Sequence, residues 1–129
     1  HIQVRIASTA PFSADPLLLE LALANLVSNA EKYGRGKSPE ILLSHAGNRV
    51  LFAVRDGGVP IPRKFLKKIF RKFYRMPGPA TRRQTGVGLG LYIVKNIMTL
   101  HHGSVQAVPW FSAENADHGN EFSLFLPAA

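Results

Sequence analysis

The chain has 129 residues and a hydrophobic fraction of 46%, which suits one compact domain and argues against an intrinsically disordered protein. It contains no cysteine, which excludes disulfide frameworks and thiolate metal sites, and no apolar run approaches the roughly 20 residues of a membrane-spanning helix. Sixteen Lys and Arg residues against eight Asp and Glu residues give a net charge of +8, which favours phosphate-bearing or acidic partners.

Hydrophobic periodicity and turn residues predict a mixed succession of strands and helices. In the first half of the chain these are a strand over residues 2–8, a helix over 17–33 capped by Asp15-Pro16, strands over 41–44 and 50–54, and a loop over 56–62. An amphipathic helix over 63–74 and a mobile surface segment over 76–84 follow. Residues 85–90 then open a helix that runs to about residue 100, and strands over 104–108 and 121–126 close the chain. The sequence therefore predicts one α/β domain over residues 1–129, with a single sheet covered on one face by helices.

The basic residues are concentrated in one part of the chain. Nine of the sixteen fall between Arg63 and Arg83, and no acidic residue occurs between Asp56 and Glu114. Such a positive field attracts a nucleic acid, a membrane surface, a nucleotide or an acidic protein, whereas a solvated helix face is the simplest alternative.

The predicted first helix carries a polar stripe. Asn25, Asn29 and Lys32 are spaced so that they share one helix face. A carboxamide oxygen is a hard ligand that suits magnesium, and a lysine one turn further on can meet a phosphate. A solvent-facing polar stripe is the competing interpretation.

Two glycine-rich loops have features of a nucleotide site. Asp56 follows an apolar strand and precedes two glycines, so its carboxylate could accept a hydrogen bond from a purine amine, although an ordinary Asp-Gly turn is the alternative. The glycines at 86, 88 and 90 precede a helix, where backbone N–H groups can hold a phosphate. Their spacing matches neither the P-loop nor the dinucleotide fingerprint, so alone they indicate little.

Four segments, taken in order, resemble the sequence boxes of bacterial sensor histidine kinases. They are NLVSNAEKY (25–33) for the asparagine box, DGGVPIP (56–62) for the first glycine box, IFRKFYR (69–75) for the phenylalanine box and TGVGLGLYIV (85–94) for the second glycine box. His102-Gly103 and residues 119–127 resemble the closing strands of the same family. The resemblance covers essentially the whole chain and is to the ATP-binding catalytic domain.

This resemblance implies a fold and its ligands. The fold would be the Bergerat-type ATP-binding fold, a two-layer α+β sandwich in which a mixed sheet of about five strands is covered on one face by about three helices. ATP and Mg²⁺ would bind between the asparagine-box helix and a lid over Met76–Thr85.

The resemblance also implies roles for individual residues. Asn29 would hold the magnesium, Asp56 would bind the adenine amine and Tyr33 would line the nucleotide site. The phosphate contacts would come from Asn25, Lys32 and Arg75, and the catalytic residues would be Asn29, Lys32 and Arg75. Further nucleotide-binding positions would be Gly58, Gly86, Gly88, Leu89 and Gly90, of which Gly86, Gly88 and Gly90 would shape the lid hinge.

One position favours transfer over hydrolysis. Hydrolytic members of the wider superfamily, which includes type II topoisomerases, mismatch-repair ATPases and a heat-shock chaperone, carry a Glu four residues before the magnesium-binding Asn. This chain has Asn25 there, and a carboxamide cannot accept a proton at neutral pH.

The first glycine box departs from the family pattern Asp-x-Gly-x-Gly-Ile-Pro, because its second glycine is replaced by Pro60. Proline holds φ at about −65° and has no N–H. We therefore expect the loop to follow another path and the lower wall of the adenine pocket to be altered, with a consequence for nucleotide affinity.

Phosphotransfer needs an acceptor, which in this family is a His followed by an acidic residue on a helical hairpin. None of the five histidines, His1, His45, His101, His102 and His118, has that context. His101 and His102, at a predicted helix end, are expected to have structural or capping roles. The chain starts with a His, not Met, so we expect an excised catalytic domain whose acceptor hairpin and sensor domains lie elsewhere in the parent.

The expected partners are that acceptor domain and a downstream response regulator, and no nucleic acid is expected. The parent is expected to be associated with a membrane, with this domain on its cytoplasmic side, and the isolated domain is expected to be monomeric.

Two other functions remain open at the level of sequence. Pro60 could mark a degenerate domain that no longer binds ATP and docks an acidic protein through Arg63–Arg75, with Phe65 or Phe73 as an anchor. A nucleic-acid binder is suggested by the charge alone. A nucleotide titration tests the former, and salt-dependent retention on DNA tests the latter.

Overall fold

The computed structural model describes residues 2–7, 11–77 and 89–129. Within these ranges the strands are β1 (Gln3–Ile6), β2 (Glu40–Ala46), β3 (Arg49–Arg55), β4 (Ser104–Phe111) and β5 (His118–Pro127). They form one open sheet in the order β1-β2-β3-β5-β4. β1 is parallel to β2, because a helix connects them, and every other neighbouring pair is antiparallel. The predicted mixed sheet of about five strands is confirmed.

The last two strands are longer than predicted. β4 continues past residue 108 to Phe111 and includes Pro109. It lies at the edge of the sheet and pairs only with β5, which is where a strand tolerates a residue without an N–H. Because Phe111 pairs with His118, β5 also begins earlier than the predicted residue 121.

The two α-helices of the described ranges are α1 (Pro16–Tyr33) and α2 (Gly90–Leu100). The predicted cap of α1 is confirmed, since Oδ1 of Asp15 accepts hydrogen bonds from the N–H groups of Leu17 at 2.9 Å and Leu18 at 3.2 Å. Across the described residues, no helix combines the length and the apolar character that crossing a bilayer demands.

His101 joins the end of α2 to the start of α1. Its Nδ1 lies 2.8 Å from the carbonyl oxygen of Ile97, and its Nε2 accepts a hydrogen bond from the backbone N–H of Asp15 at 3.0 Å. A ring that accepts at Nε2 carries its proton on Nδ1, which donates to Ile97. The expected structural role of this histidine is confirmed.

The predicted α-helix over residues 63–74 is wrong. The segment forms two short 3₁₀ helices, Arg63–Phe65 and Lys68–Phe70, and Phe73 has a left-handed backbone with φ of 63°. On an α-helix, cations would stand above cations at i,i+4 spacing, as Lys68 and Lys72 would, with no carboxylate between them. Two apolar side chains of the second 3₁₀ helix are nevertheless buried, so contacts with the rest of the domain determine the conformation of this segment.

The hydrophobic core lies between the helices and one face of the sheet. Alternate residues of the central strands point to this face and are buried, namely Val50, Phe52, Val54, Phe122, Leu124 and Leu126. The helices contribute Ala22, Leu26, Ala30, Val94, Ile97 and Met98. The predicted two-layer arrangement, with helices on one face, is therefore confirmed.

Replacing Asp15 by Ala is expected to lower the free energy of unfolding by about 1 kcal/mol, because the first turn of α1 loses the acceptor for two of its N–H groups. Urea denaturation followed by circular dichroism measures the change. Ser13→Ala, two residues earlier on the exposed surface, is the matched control. Equal stability of the two variants would contradict the capping role.

Candidate functional site

The polar stripe of α1 borders its buried face. Asn25 and Asn29 are half-buried, and Lys32 is exposed. Nδ2 of Asn25 donates to the carbonyl oxygen of Leu21 at 2.9 Å, which leaves Oδ1 as a free acceptor. The side chain of Asn29 makes no hydrogen bond to any residue of the described ranges. Both carboxamide oxygens are therefore available to a ligand.

The start of α2 lies against Asn25. A Cβ atom on Gly90 would lie 2.9 Å from Oδ1 of Asn25, so a side chain at this position would press on the carboxamide. Leu89, at the N-cap position, provides no capping hydrogen bond, so the first N–H groups of the helix keep their capacity to bind an anion. The fold thus brings together three of the predicted site residues, Asn25, Leu89 and Gly90.

Asp56, directly after β3, is only 8% exposed. Its Oδ1 accepts hydrogen bonds from the backbone N–H groups of Gly58 and Asn120, both at 2.9 Å, and a longer one from Nδ2 of Asn120 at 3.4 Å. Oδ2 accepts none from the described residues, and since no buried side-chain oxygen among them lacks a partner, Oδ2 is in contact with solvent. The protein therefore holds one carboxylate oxygen and leaves the other open to a ligand.

The pKa of Asp56 follows from this position. Burial raises the pKa above its ordinary value of 3.8, because desolvation disfavours the charged carboxylate. The hydrogen bonds from Gly58 and Asn120 act in the opposite direction, because they stabilise the charged form.

The C-terminal end of α1 meets the loop that follows Asp56. A Cβ atom on Gly58 would overlap the carbonyl oxygen of Tyr33, and one on Gly57 would overlap the side chain of Lys37. Neither glycine has a positive φ, so close approach is what requires them. The backbone of Tyr33, a residue that is 38% exposed, thus lies beside Gly58. Along α1 this end is about 12 Å from Asn25, at 1.5 Å per residue.

Two residues of the sheet, which the sequence analysis did not identify as site residues, hold Asp56. The indole N–H of Trp110 donates to the carbonyl oxygen of Asp56 at 3.0 Å, and Asn120 supplies the N–H groups described above. Gly119 permits this approach, because a Cβ atom there would overlap the same carbonyl oxygen. Asn120 faces Asp56 through the pairing of β3 with β5, and Trp110 reaches it through the pairing of β4 with β5, so no local sequence signal could have identified them.

The loop accommodates Pro60. None of residues 56–62 has a positive φ, so the backbone conformation that would exclude proline is not used. The replacement of the second glycine of the box is therefore compatible with the hydrogen bonds that hold Asp56.

Some predicted features lie outside the described residues. These are Gly86, Gly88 and all of the predicted lid beyond its first two residues. Arg75 is described and is exposed, and Met76 packs partly buried against the core.

The described residues contain no cluster of three or more His, Cys, Asp or Glu side chains that could hold a metal ion. Mg²⁺ does not need such a cluster, because it is usually bound through one or two protein oxygens together with phosphates and water. The unengaged carboxamide of Asn29 fits that requirement.

Comparisons with known proteins give one consistent result. The family described as "Histidine kinase-, DNA gyrase B-, and HSP90-like ATPase" matches residues 14–129. The heme sensor protein HssS of Staphylococcus aureus (strain JH9) is 34% identical over 117 residues, which make up 90% of this chain and 24% of HssS. The chain thus spans about a quarter of the length of this relative.

Solved structures have the same fold. The mycobacterial sensor histidine kinase MprB superposes with a TM-score of 0.80 at 24% sequence identity, covering 99% of this chain and 81% of that chain. Full-length ShkA in complex with AMPPNP superposes with a TM-score of 0.72 at 28% identity, covering 99% of this chain and 26% of that chain.

Proposed function

Since this chain belongs to the family of histidine kinase-, DNA gyrase B- and HSP90-like ATPases, we propose that it binds ATP with Mg²⁺ and transfers the γ-phosphoryl group to a histidine on a separate domain. The domain is of the histidine kinase type found in sensor kinases, as the sequence boxes predicted.

The state of the Asp56 carboxylate carries the proposal. Oδ1 is held by three hydrogen bonds, and Oδ2 is accessible beside a glycine loop that packs on Tyr33. An acceptor oriented in this way suits the exocyclic amine of adenine, and glycines without side chains allow a flat ring to approach. The presence of AMPPNP in the ShkA structure supports a nucleotide as the ligand of this fold.

The middle of α1, where Asn25 meets the start of α2, suits the phosphates. The N-terminus of α2 offers N–H groups that no side chain of the described residues caps, and Oδ1 of Asn25 lies against Gly90. Lys32 adds an exposed cation on the same stripe. We assign the phosphates to this region, with Arg75 and the glycines at 86 and 88 as further proposed contacts.

Asn29 is the proposed ligand of Mg²⁺, which would neutralise phosphate charge. The chain's own contribution to transfer is positioning and charge stabilisation, for which Lys32 and Arg75 are proposed. The bond between the γ-phosphorus and the bridging oxygen breaks, a phosphorus–nitrogen bond forms, the imidazole loses its N–H proton to solvent, and ADP leaves. Since the nucleophile comes from the acceptor, Asn25 can stand where a hydrolase needs a base.

The wider setting is part of the same proposal. The chain covers only a quarter of the length of HssS, so the acceptor histidine would lie in another segment of the parent. A response regulator would receive the phosphoryl group, and the parent would be a membrane-associated sensor with this domain on the cytoplasmic side.

Calorimetric titration of the domain with ATP and MgCl₂ tests the proposal. Binding in the micromolar to millimolar range, lost when ATP is replaced by a pyrimidine nucleotide, is expected. Absence of binding at millimolar ATP would overturn it.

A second candidate function, docking of an acidic protein, rests on the exposed basic surface of the 3₁₀ segment. Six of its cations are exposed and form no salt bridge with any described residue: Arg63, Lys64, Lys67, Lys68, Arg71 and Lys72. Phe73, next to them, is 61% exposed. A domain that fails to bind ATP would favour this function over the first.

A further inference from the structure

The side chain of Asn120 connects both sides of Pro60. Its Nδ2 donates to the carbonyl oxygen of Val59 at 2.9 Å, and its Oδ1 accepts the backbone N–H of Ile61 at 2.8 Å. The same Nδ2 lies 3.4 Å from Oδ1 of Asp56. The residue is 3% exposed, so these contacts are shielded from water.

The loop has few other restraints. Between Gly57 and Ile61, no backbone-to-backbone hydrogen bond to any described residue is formed. Pro60 contributes no N–H, and Asp56 restrains only Gly58. Ile61 also packs against the hydrophobic core, but the hydrogen bonds that hold residues 59–61 near Asp56 come from one carboxamide, which lies 59 to 61 residues away in sequence.

We propose that Asn120 is a positioning residue for adenine recognition, which holds the Pro60 loop against β5 so that Oδ2 of Asp56 faces the base. The inference rests on the proposed nucleotide function and deepens it. Asn120 acts through Asp56 and the loop, since its own side-chain polar atoms are occupied by protein groups.

This role differs from that of an ordinary buried polar residue. If Asn120 only stabilised the fold, its loss would lower stability and leave the affinity of the folded protein for nucleotide unchanged. If it positions Asp56, its loss reduces the preference for a purine with a 6-amino group over one without it, because only the former uses Oδ2.

The test compares the dissociation constants of ATP and of purine riboside triphosphate, which lacks the 6-amino group, by calorimetry with Mg²⁺ well below the unfolding temperature. Asn120→Ala removes both contacts to the loop. Isosteric Asn120→Asp keeps the acceptor for Ile61 but places an oxygen against the carbonyl of Val59 and the carboxylate of Asp56. Ser123→Ala is the control, because Ser123 is equally buried in β5 but points to the opposite sheet face.

Asn120→Ala is expected to weaken ATP binding roughly ten-fold and to change the affinity for purine riboside triphosphate much less. Asn120→Asp should weaken ATP binding at least as much, and Ser123→Ala should leave both affinities unchanged. Unaltered discrimination in a folded Asn120 variant, beside a wild type that binds ATP, would overturn the role of Asn120 alone. A wild type that binds neither compound would overturn the proposed function and this inference together.

Discussion

Replacing Asp56 by Asn is expected to weaken ATP binding about ten- to a hundred-fold and to leave the domain at least as stable as the wild type at neutral pH. The side-chain oxygen of Asn can still accept the N–H groups of Gly58 and Asn120, so the internal hydrogen bonds survive. The amide NH₂ then replaces the accessible Oδ2 and faces the adenine amine as a second donor. Two opposed donors in a confined site cost roughly 1–3 kcal/mol.

The same reversal of polarity predicts a change in base preference. A purine with an oxygen at position 6, such as inosine triphosphate, presents an acceptor to the new donor. The ratio of ATP affinity to ITP affinity should therefore fall in Asp56→Asn by more than the ATP affinity alone. Equal losses for both nucleotides would indicate a general disturbance of the pocket and would contradict the assigned role of Oδ2.

The raised pKa of Asp56 gives this prediction a pH dependence. ATP binding by the wild type should weaken as the pH falls through the raised pKa, because a neutral carboxyl group accepts a hydrogen bond less strongly than a carboxylate. Asp56→Asn should lack this component. A titration of both proteins between neutral pH and the onset of acid unfolding measures the difference.

The contribution of Asp56 to the free energy of unfolding changes with pH in the opposite direction to the ATP affinity. Because the pKa of Asp56 is higher in the folded protein than its ordinary value of 3.8, the folded state binds the proton more tightly than the unfolded state. The contribution of this tighter proton binding at Asp56 to the free energy of unfolding is fully present below pH 3.8 and is lost as the pH rises through the raised pKa. At neutral pH the buried, charged carboxylate therefore lowers the free energy of unfolding, and Asp56→Asn removes this unfavourable contribution.

Replacing Asn29 by Ala is expected to abolish phosphoryl transfer, with a loss of at least about a hundred-fold, while α1 remains folded. The side chain of Asn29 is half-buried and makes no hydrogen bond to the described residues. Its removal therefore breaks no hydrogen bond among them. The expected loss arises from the missing oxygen ligand for Mg²⁺. Transfer would be measured with radiolabelled ATP in the parent protein that contains the acceptor histidine.

The matched control is Ser28→Ala, since Ser28 is a half-buried polar residue next to Asn29 on α1 to which no ligand contact is assigned. It should retain transfer. If Asn29→Ala transferred the phosphoryl group at the wild-type rate, the assignment of Asn29 would be wrong. A loss of transfer in both variants would instead indicate that the helix, and no particular carboxamide, had been disturbed.

Features with local causes could be predicted from the sequence. The start of α1 follows from one residue, Asp15, whose side chain caps the adjacent turn. The alternation of apolar residues in β3 and the hairpin that joins it to β2 are likewise properties of short segments. The polar stripe of α1 and Asp56 at the end of β3 were identified in the same way, and the order of the boxes identified the family.

Boundaries that depend on neighbours were predicted less well. The segment 63–74 has helical periodicity, but the repulsion between its cations and its contacts with the core produce two 3₁₀ helices. Similarly, β4 was predicted to end at residue 108, whereas its position at the sheet edge allows it to continue through Pro109 to Phe111.

By itself, the sequence determined the family, the mixed sheet, both α-helices and the residues along α1 and after β3 that form the candidate site. Only the tertiary structure decided how Asp56 is held, because Trp110 and Asn120 lie 54 and 64 residues away from it. Their contacts depend on the register of three strands and on the absence of a side chain at Gly119. A hydrogen bond between residues so far apart leaves no periodic trace in the sequence, which is why this part of the site became visible only when the strands were paired.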